Sequence, residues 1–159
     1  MDLAALWVAV RNRALDDDGV AGLFAPGAPL ISGIYENIWP DNAQLPIVVY
    51  DVAAMDQIDA FRAAVYFVDF RFSVYVQQDP VISTAASATA SKIINRLRGD
   101  WQDQSGAPTF GFHRWTHGSL ASSDWSARDC RHIGSRAEHT EDVLHYVESY
   151  RVIVQQAGV

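Results

Sequence analysis

The chain has 159 residues, with 19 acidic side chains against 12 basic ones and a formal net charge of −7. Hydrophobic residues make up 49% and charged residues 19%, a balance that excludes a disordered chain and lets one domain bury about two-thirds of the surface it exposes when unfolded. The single cysteine excludes a disulfide framework and a cysteine-rich zinc module, and the acidic balance argues against a protein that grips phosphates through clustered Lys and Arg.

The N-terminal segment predicts an amphipathic helix. Leu3, Leu6, Trp7, Val10 and Ala14 recur at helical spacing and share a face. Arg11 and Arg13 suit its C-terminal end, whereas Asp16, Asp17 and Asp18 oppose the helix dipole there. Gly19 can cap it, and a Gly- and Pro-containing loop follows to Pro29. Leu3 to Val10 is too short to span a bilayer, and no basic region precedes it. A soluble, intracellular protein with no membrane partner is expected.

Leu30 to Trp39 and Ile47 to Val52 are the first strand candidates, punctuated by Pro40 and Pro46. Asp51 to Ala60 reads as an acidic loop or ribbon tip carrying Asp56 and Asp59. The strongest strand signal runs from Phe61 to Gln77. Tyr66, Val68, Phe70, Phe72, Val74 and Val76 alternate with a mixed face of Phe67, Asp69, Arg71, Ser73 and Tyr75. Such a strand exceeds the usual five or six residues. A long, half-polar strand suits contact with another subunit.

Asp79-Pro80 has the residue types that open a helix. Ile82, Ala86, Ala90, Ile93 and Leu97 form its apolar stripe, Ser83, Ser87, Ser91, Asn95 and Arg98 the opposite face, and Gly99 its stop. Thr109 to His117 and Ala127 to Arg136 are further strand candidates. Leu144, Tyr146, Tyr150, Val152 and Val154 alternate through the last one, with Glu148 as the exception. No repeat or low-complexity tract is visible, so residues 1–159 read as one domain. The order predicts an α+β fold: a mainly antiparallel sheet flanked by two helices, with a long central strand.

The signals for chemistry are weak. His113 and His117 would sit about 13 Å apart along a strand, too far to share a metal. Cys130 and His132 could join them only by convergence of separate strands. Ser119, His113 and Asp124 compose a triad by residue type alone, whereas a triad is defined by geometry. Cys130 lies between Asp129 and Arg131, and a lone cysteine of this kind reads as structural. No Walker or dinucleotide glycine motif occurs. Trp101, Trp115 and Trp125 beside Arg114 could stack on bases, but an acidic chain favours packing tryptophans. No catalytic residue, metal or cofactor is predicted.

The arginines are more informative. Lys92 is the only lysine, so every other basic residue is arginine. Arginine makes planar, bidentate contacts and is enriched at interfaces; codon bias in a GC-rich genome would leave the same imprint. Arg128, Arg131 and Arg136 lie close to Glu138, Glu141 and Asp142. Arg128, Arg131, Arg136, Glu138 and Asp142 are candidate subunit-interface residues. The alternative is a solvated edge strand that uses charge to block aggregation.

LAALWVAVRNRAL, an I-Y-E-N strand, L-P-I-V-V-Y, FRFSVYVQQDP followed by ASKIINRLRG, and the closing VESYRVIVQQ come in a familiar order. This pattern, spread across most of the chain, resembles the tail-terminator and tail-completion proteins of long-tailed bacteriophages and related gene-transfer particles. The resemblance implies a non-enzymatic α+β virion protein that forms a hexameric ring on the head-proximal end of the tail tube. Such a ring ends tube polymerisation and offers a surface to the head or neck. The implied partners are further copies of the chain, the tail tube protein and a head-completion or neck protein, met in the host cytoplasm during assembly. Genome DNA would pass through the lumen without specific binding, and an acidic lumen would repel its phosphates. Asp51, Asp56 and Asp59, or Asp16, Asp17 and Asp18, are the candidates for the lumen or tube-facing rim. Two other readings remain open: a head–tail connector or neck protein, and a small-ligand or metal-dependent enzyme module built on His113, His117, Cys130 and His132.

Overall fold

The structure is a computed structural model that describes residues 3–15, 23, 30–60, 63–78, 83–99, 111–117, 120, 125–140 and 142–156. Their elements are α1 (Leu3–Leu15), β1 (Gly33–Glu36), β2 (Ile47–Ala60), β3 (Ala63–Gln77), α2 (Ser83–Arg98), β4 (Trp125–His139) and β5 (Val143–Gln156). The five strands form one sheet in the order β1-β2-β3-β5-β4. Only β1 and β2 run parallel; every other neighbouring pair is antiparallel. The α+β expectation holds, and β3 is the long central strand.

Alternation along β3 decides the two faces of the sheet. Val68, Phe70, Phe72, Val74 and Val76 are buried on one face. Their partners across β5 are Val152, Tyr150, Glu148, Tyr146 and Leu144. Both helices contribute to the same apolar core on this face, α1 through Ala5, Leu6, Trp7, Ala9, Val10 and Ala14. Trp7 meets Tyr50 at 5.7 Å and Phe70 at 6.3 Å between ring centroids. From α2, Ala86, Ala90, Ile93, Ile94 and Leu97 point inward, and the alanines let the helix backbone approach the strands closely. The other face carries no helix among the described residues.

Several sequence-based boundaries change. The first strand contracts from Leu30–Trp39 to Gly33–Glu36, where Asn37, at a left-handed φ of 62°, turns the chain away. Asp51 to Ala60 is not a loop: it continues β2 and pairs with β3 to Ala60 opposite Ala63. Its acidic residues misled the loop reading, but Asp51 and Asp56 lie in extended backbone, with Asp56 exposed to solvent. Trp125–His139 is longer than the expected Ala127–Arg136 strand.

The expected Thr109–His117 strand is replaced, over the described part, by a compact turn. Gly111 (φ 75°) and Arg114 (φ 63°) both take left-handed conformations, which interrupt an extended chain. Only His117 keeps a bridge, to Ala127. The turn instead closes the end of α2. Phe112 N–H donates to Leu97 O at 2.8 Å and His113 N–H to Arg98 O at 3.0 Å, so carbonyls left over at the helix terminus are satisfied. Gly99 (φ 83°) ends the helix as expected. A Cβ on Gly111 would collide with the Gly99 backbone. Arg13 Nε donates to Gly111 O at 2.8 Å, tying α1 to the same turn. Phe112 is thereby driven into the core against Phe72, Phe70 and Tyr150. The Asp79-Pro80 helix start and the Asp16, Asp17 and Asp18 stop lie outside the described residues.

Candidate functional site

Two features concentrate polar chemistry: a cluster under the sheet at Glu148, and the helix-free face.

Glu148 stands on the helix-bearing face between Tyr146 and Tyr150, with only 1% of its surface exposed. A buried carboxylate is costly unless paired. Arg98 supplies a two-pronged partner: Nε donates to Oε2 at 2.9 Å and Nη2 to Oε1 at 3.0 Å. His132 Nε2 lies 2.8 Å from the same Oε2. Ser135 Oγ completes the group, 2.6 Å from Arg98 Nη2 and 3.1 Å from His132 Nε2. Arg98, placed by its sequence spacing on the solvent face of α2, instead curls back at the helix terminus to reach β5. Hydrogen bonding to Glu148 raises its pKa further above the ordinary arginine value. Burial pushes the Tyr150 phenol well above its usual range.

The cluster combines serine, histidine and glutamate, yet its geometry is not that of a nucleophile relay. In a relay the base turns opposite ring nitrogens to the hydroxyl and the acid. Here one nitrogen of His132 faces both, and the Ser135 hydroxyl also accepts from Arg98. The arrangement joins α2, β4 and β5.

The other predicted chemical residues separate. Cys130 is fully buried, and burial drives its thiol pKa well above the usual value, toward inertness. His113 sits in the α2-capping turn with its pKa lowered by burial and then by Arg114, whereas His117 is exposed at a bridge. Among the described residues, no group of three or more His, Cys, Asp or Glu side chains could hold a metal ion. Ser119, Asp124 and Trp101 lie outside the described residues. Trp115 packs on Phe112 and Trp125 on Tyr66, each at 5.5 Å. No described helix is long and apolar enough to cross a membrane.

The helix-free face is organised by register. Ile47, Tyr75, His145 and Glu138 form one rung across β2, β3, β5 and β4. Tyr75 stacks on His145 at 4.2 Å, and Trp39 covers Tyr75 at 4.8 Å. Toward the middle the face becomes ionic. Asp51 is directly opposite Arg71, which grips it with two hydrogen bonds of 2.8 Å. Asp69 is directly opposite Arg151, bound by two more at 2.7 and 2.8 Å. Arg131 faces Arg151 across β4 and β5; the repulsion is offset because Arg131 holds Asp129 at 2.8 Å. Beyond this row, Phe67, Ile133 and Ile153 line a shallow groove with Asp129, Arg131 and Arg151.

The candidate interface residues gather on or beside β4. Arg128, Arg131, Arg136 and Glu138 are exposed on that strand, and Asp142 is exposed just before β5. Arg136 binds Glu138 at 3.0 Å. Of the candidate rim, Asp51 is neutralised by Arg71 and Asp56 is exposed on β2. The Asp59 backbone lies in β2, while its side chain and Asp16, Asp17 and Asp18 fall outside what is described. The carboxylate–arginine rungs were missed in the sequence, although Asp69 and Arg71 on the mixed face of β3 were their signal. Glu148 was visible as a break in alternation, but its partners were not.

The molecule therefore defines a class: α+β proteins with a mainly antiparallel five-stranded sheet, helices on one face and an ionic face opposite. Among solved structures, one with this fold is a chain from the "Virion of native gene transfer agent (GTA) particle". It aligns over 96% of each chain with a TM-score of 0.58 and 19% identity. No protein-family model matches the chain, and no curated protein matches it.

Proposed function

We propose that this chain is a non-enzymatic structural virion protein of a phage-like particle, acting as the tail terminator. In this reading it forms a ring, a hexamer by resemblance, on the head-proximal end of the tail tube. The ring stops tube polymerisation and presents a surface to the head or neck. The observation that carries the reading is the end-to-end fold match to a gene transfer agent virion chain, which covers 96% of both chains. The tail-terminator-like element order supports the same assignment. Exposed arginines and carboxylates around β4 suit contacts between copies, where opposed charges set partner and register.

The test is assembly with and without this protein. Particles lacking it should carry tubes of uncontrolled length and unattached heads, and adding it back should place a ring at one tube end. Tubes of normal length and normally joined heads in its absence would overturn the assignment. Recovery of the protein on tail-less heads would instead identify a connector.

A further inference from the structure

Two long stretches of strand edge are open among the described residues, and they lie on opposite sides of the sheet. The first is the outer edge of β4 from Arg131 to His139; upstream the edge is covered, where His117 pairs with Ala127, Leu120 N–H donates to Trp125 O at 2.9 Å and Arg114 N–H donates to Cys130 O at 2.6 Å. The second is the distal part of β2. Pairing with β1 ends at Glu36 opposite Tyr50, so Asp51 to Ala60 has β3 on one side and, among the described residues, no strand on the other. Residues 53–58 are exposed throughout. Long open edges present unpaired N–H and C=O groups and invite pairing. These edges also expose apolar side chains: Met55 at 45%, Ile58 at 41% and Ile133 at 48%.

We propose that copies of this chain join edge to edge, β4 of one against the distal half of β2 of the next, making one sheet continuous across subunits. The inference rests on the ring reading above and says how the ring is built. Strand direction supports it. β2 is antiparallel to β3, β3 to β5, and β5 to β4, so β4 runs opposite to β2. Setting one sheet beside the next, with helices on the same side, therefore gives an antiparallel pair.

Charge selects the unlike pairing. The open stretch of β4 carries Arg131 and Arg136 against Glu138, whereas the β2 stretch carries Asp51, Asp56 and Asp59 and no base. By register Arg131 and Arg136 share the helix-free face with Asp56: they stand opposite Arg151 and Val147, and Asp56 stands opposite Phe67. A continued sheet keeps that face, so these side chains meet across the junction. Two β2 edges would set aspartates against each other, and two β4 edges would set arginines against each other, which disfavours both. Because the two edges differ and lie on opposite sides, the contact is head-to-tail, the type that closes into rings.

The test combines hydrogen exchange with charge reversal on the full chain, alone and with tail tubes. Assembly should slow exchange in residues 53–58 and 131–137 at least tenfold relative to the dilute monomer. Arg131→Glu with Arg136→Glu should weaken self-association at least tenfold while the circular dichroism spectrum is kept. Adding Asp56→Arg should recover most of the loss. Oligomers in which both segments exchange as in the monomer, or a double reversal with no effect on association, would overturn the edge pairing and leave the ring reading intact. A chain that stays monomeric at every concentration and on tubes would overturn both.

Discussion

On one face of the sheet, Phe70, Phe72 and Tyr150 lie fully buried beneath two helices and the Phe112 turn. On the other, the same strands hold Arg71–Asp51 and Arg151–Asp69 pairs half in water. The first face makes a large dispersion and hydrophobic contribution through interlocked rings. The second contributes little to stability, because exposed ion pairs are screened and cost side-chain entropy. What it has is a fixed charge pattern on a rigid platform. A face whose ion pairs contribute little to folding but fix an ordered pattern of charge is suited to meeting another molecule.

The largest effect should come from breaking the buried face. Phe112→Ala removes the ring that contacts Phe70, Phe72, Trp115 and Tyr150. Leaving that cavity should cost about 3–5 kcal/mol in denaturant unfolding. Glu148→Ala comes next, at about 2–3 kcal/mol, since it strips Arg98 of its bidentate partner. Water reaching the partly exposed Arg98 side chain limits the loss. Glu148→Gln, which keeps the shape and one acceptor, should cost less.

Arg71→Ala sharpens the contrast from the other side. It breaks two 2.8 Å hydrogen bonds to Asp51, yet with both side chains about a third exposed the cost should stay below about 1 kcal/mol. A loss as large as that from Phe112→Ala would erase the distinction between the faces.

The division between faces was partly legible in the sequence. Alternation in β3 and the apolar stripe of α2 identified the core side, because burial imposes a period that survives in one strand or helix. The ion-pair rungs were not, since Asp69 and Arg71 find their partners 82 and 20 residues away, respectively. Register, which no local pattern encodes, decides those pairs. The segment 109–117 failed for a related reason: its aromatic and β-branched residues suggest a strand, but left-handed Gly111 and Arg114 serve the terminus of α2. The β2 extension was hidden because acidic residues on an open edge resemble a loop.

The smallest effect comes from pH. His145 lies on the helix-free face, stacked on Tyr75, with Nδ1 3.3 Å from Glu138. Its Nε2 is buried with no hydrogen-bond partner among the described residues. Burial lowers its pKa below the ordinary 6.5, and the nearby Glu138 opposes but does not reverse that shift. The folded state therefore binds fewer protons than the unfolded one below pH 6.5. Its contribution to stability is complete above that value and is lost as pH falls toward the lowered folded pKa. His113, lowered in the same direction by burial at the α2-capping turn, adds to the slope. His145→Phe keeps a ring against Tyr75 and removes the titration. Unfolding curves measured in steps below pH 6.5 should then show a shallower decline than the native chain, while His113→Asn should remove the remaining part. An unchanged slope in the double variant would show that neither histidine sets the acid sensitivity.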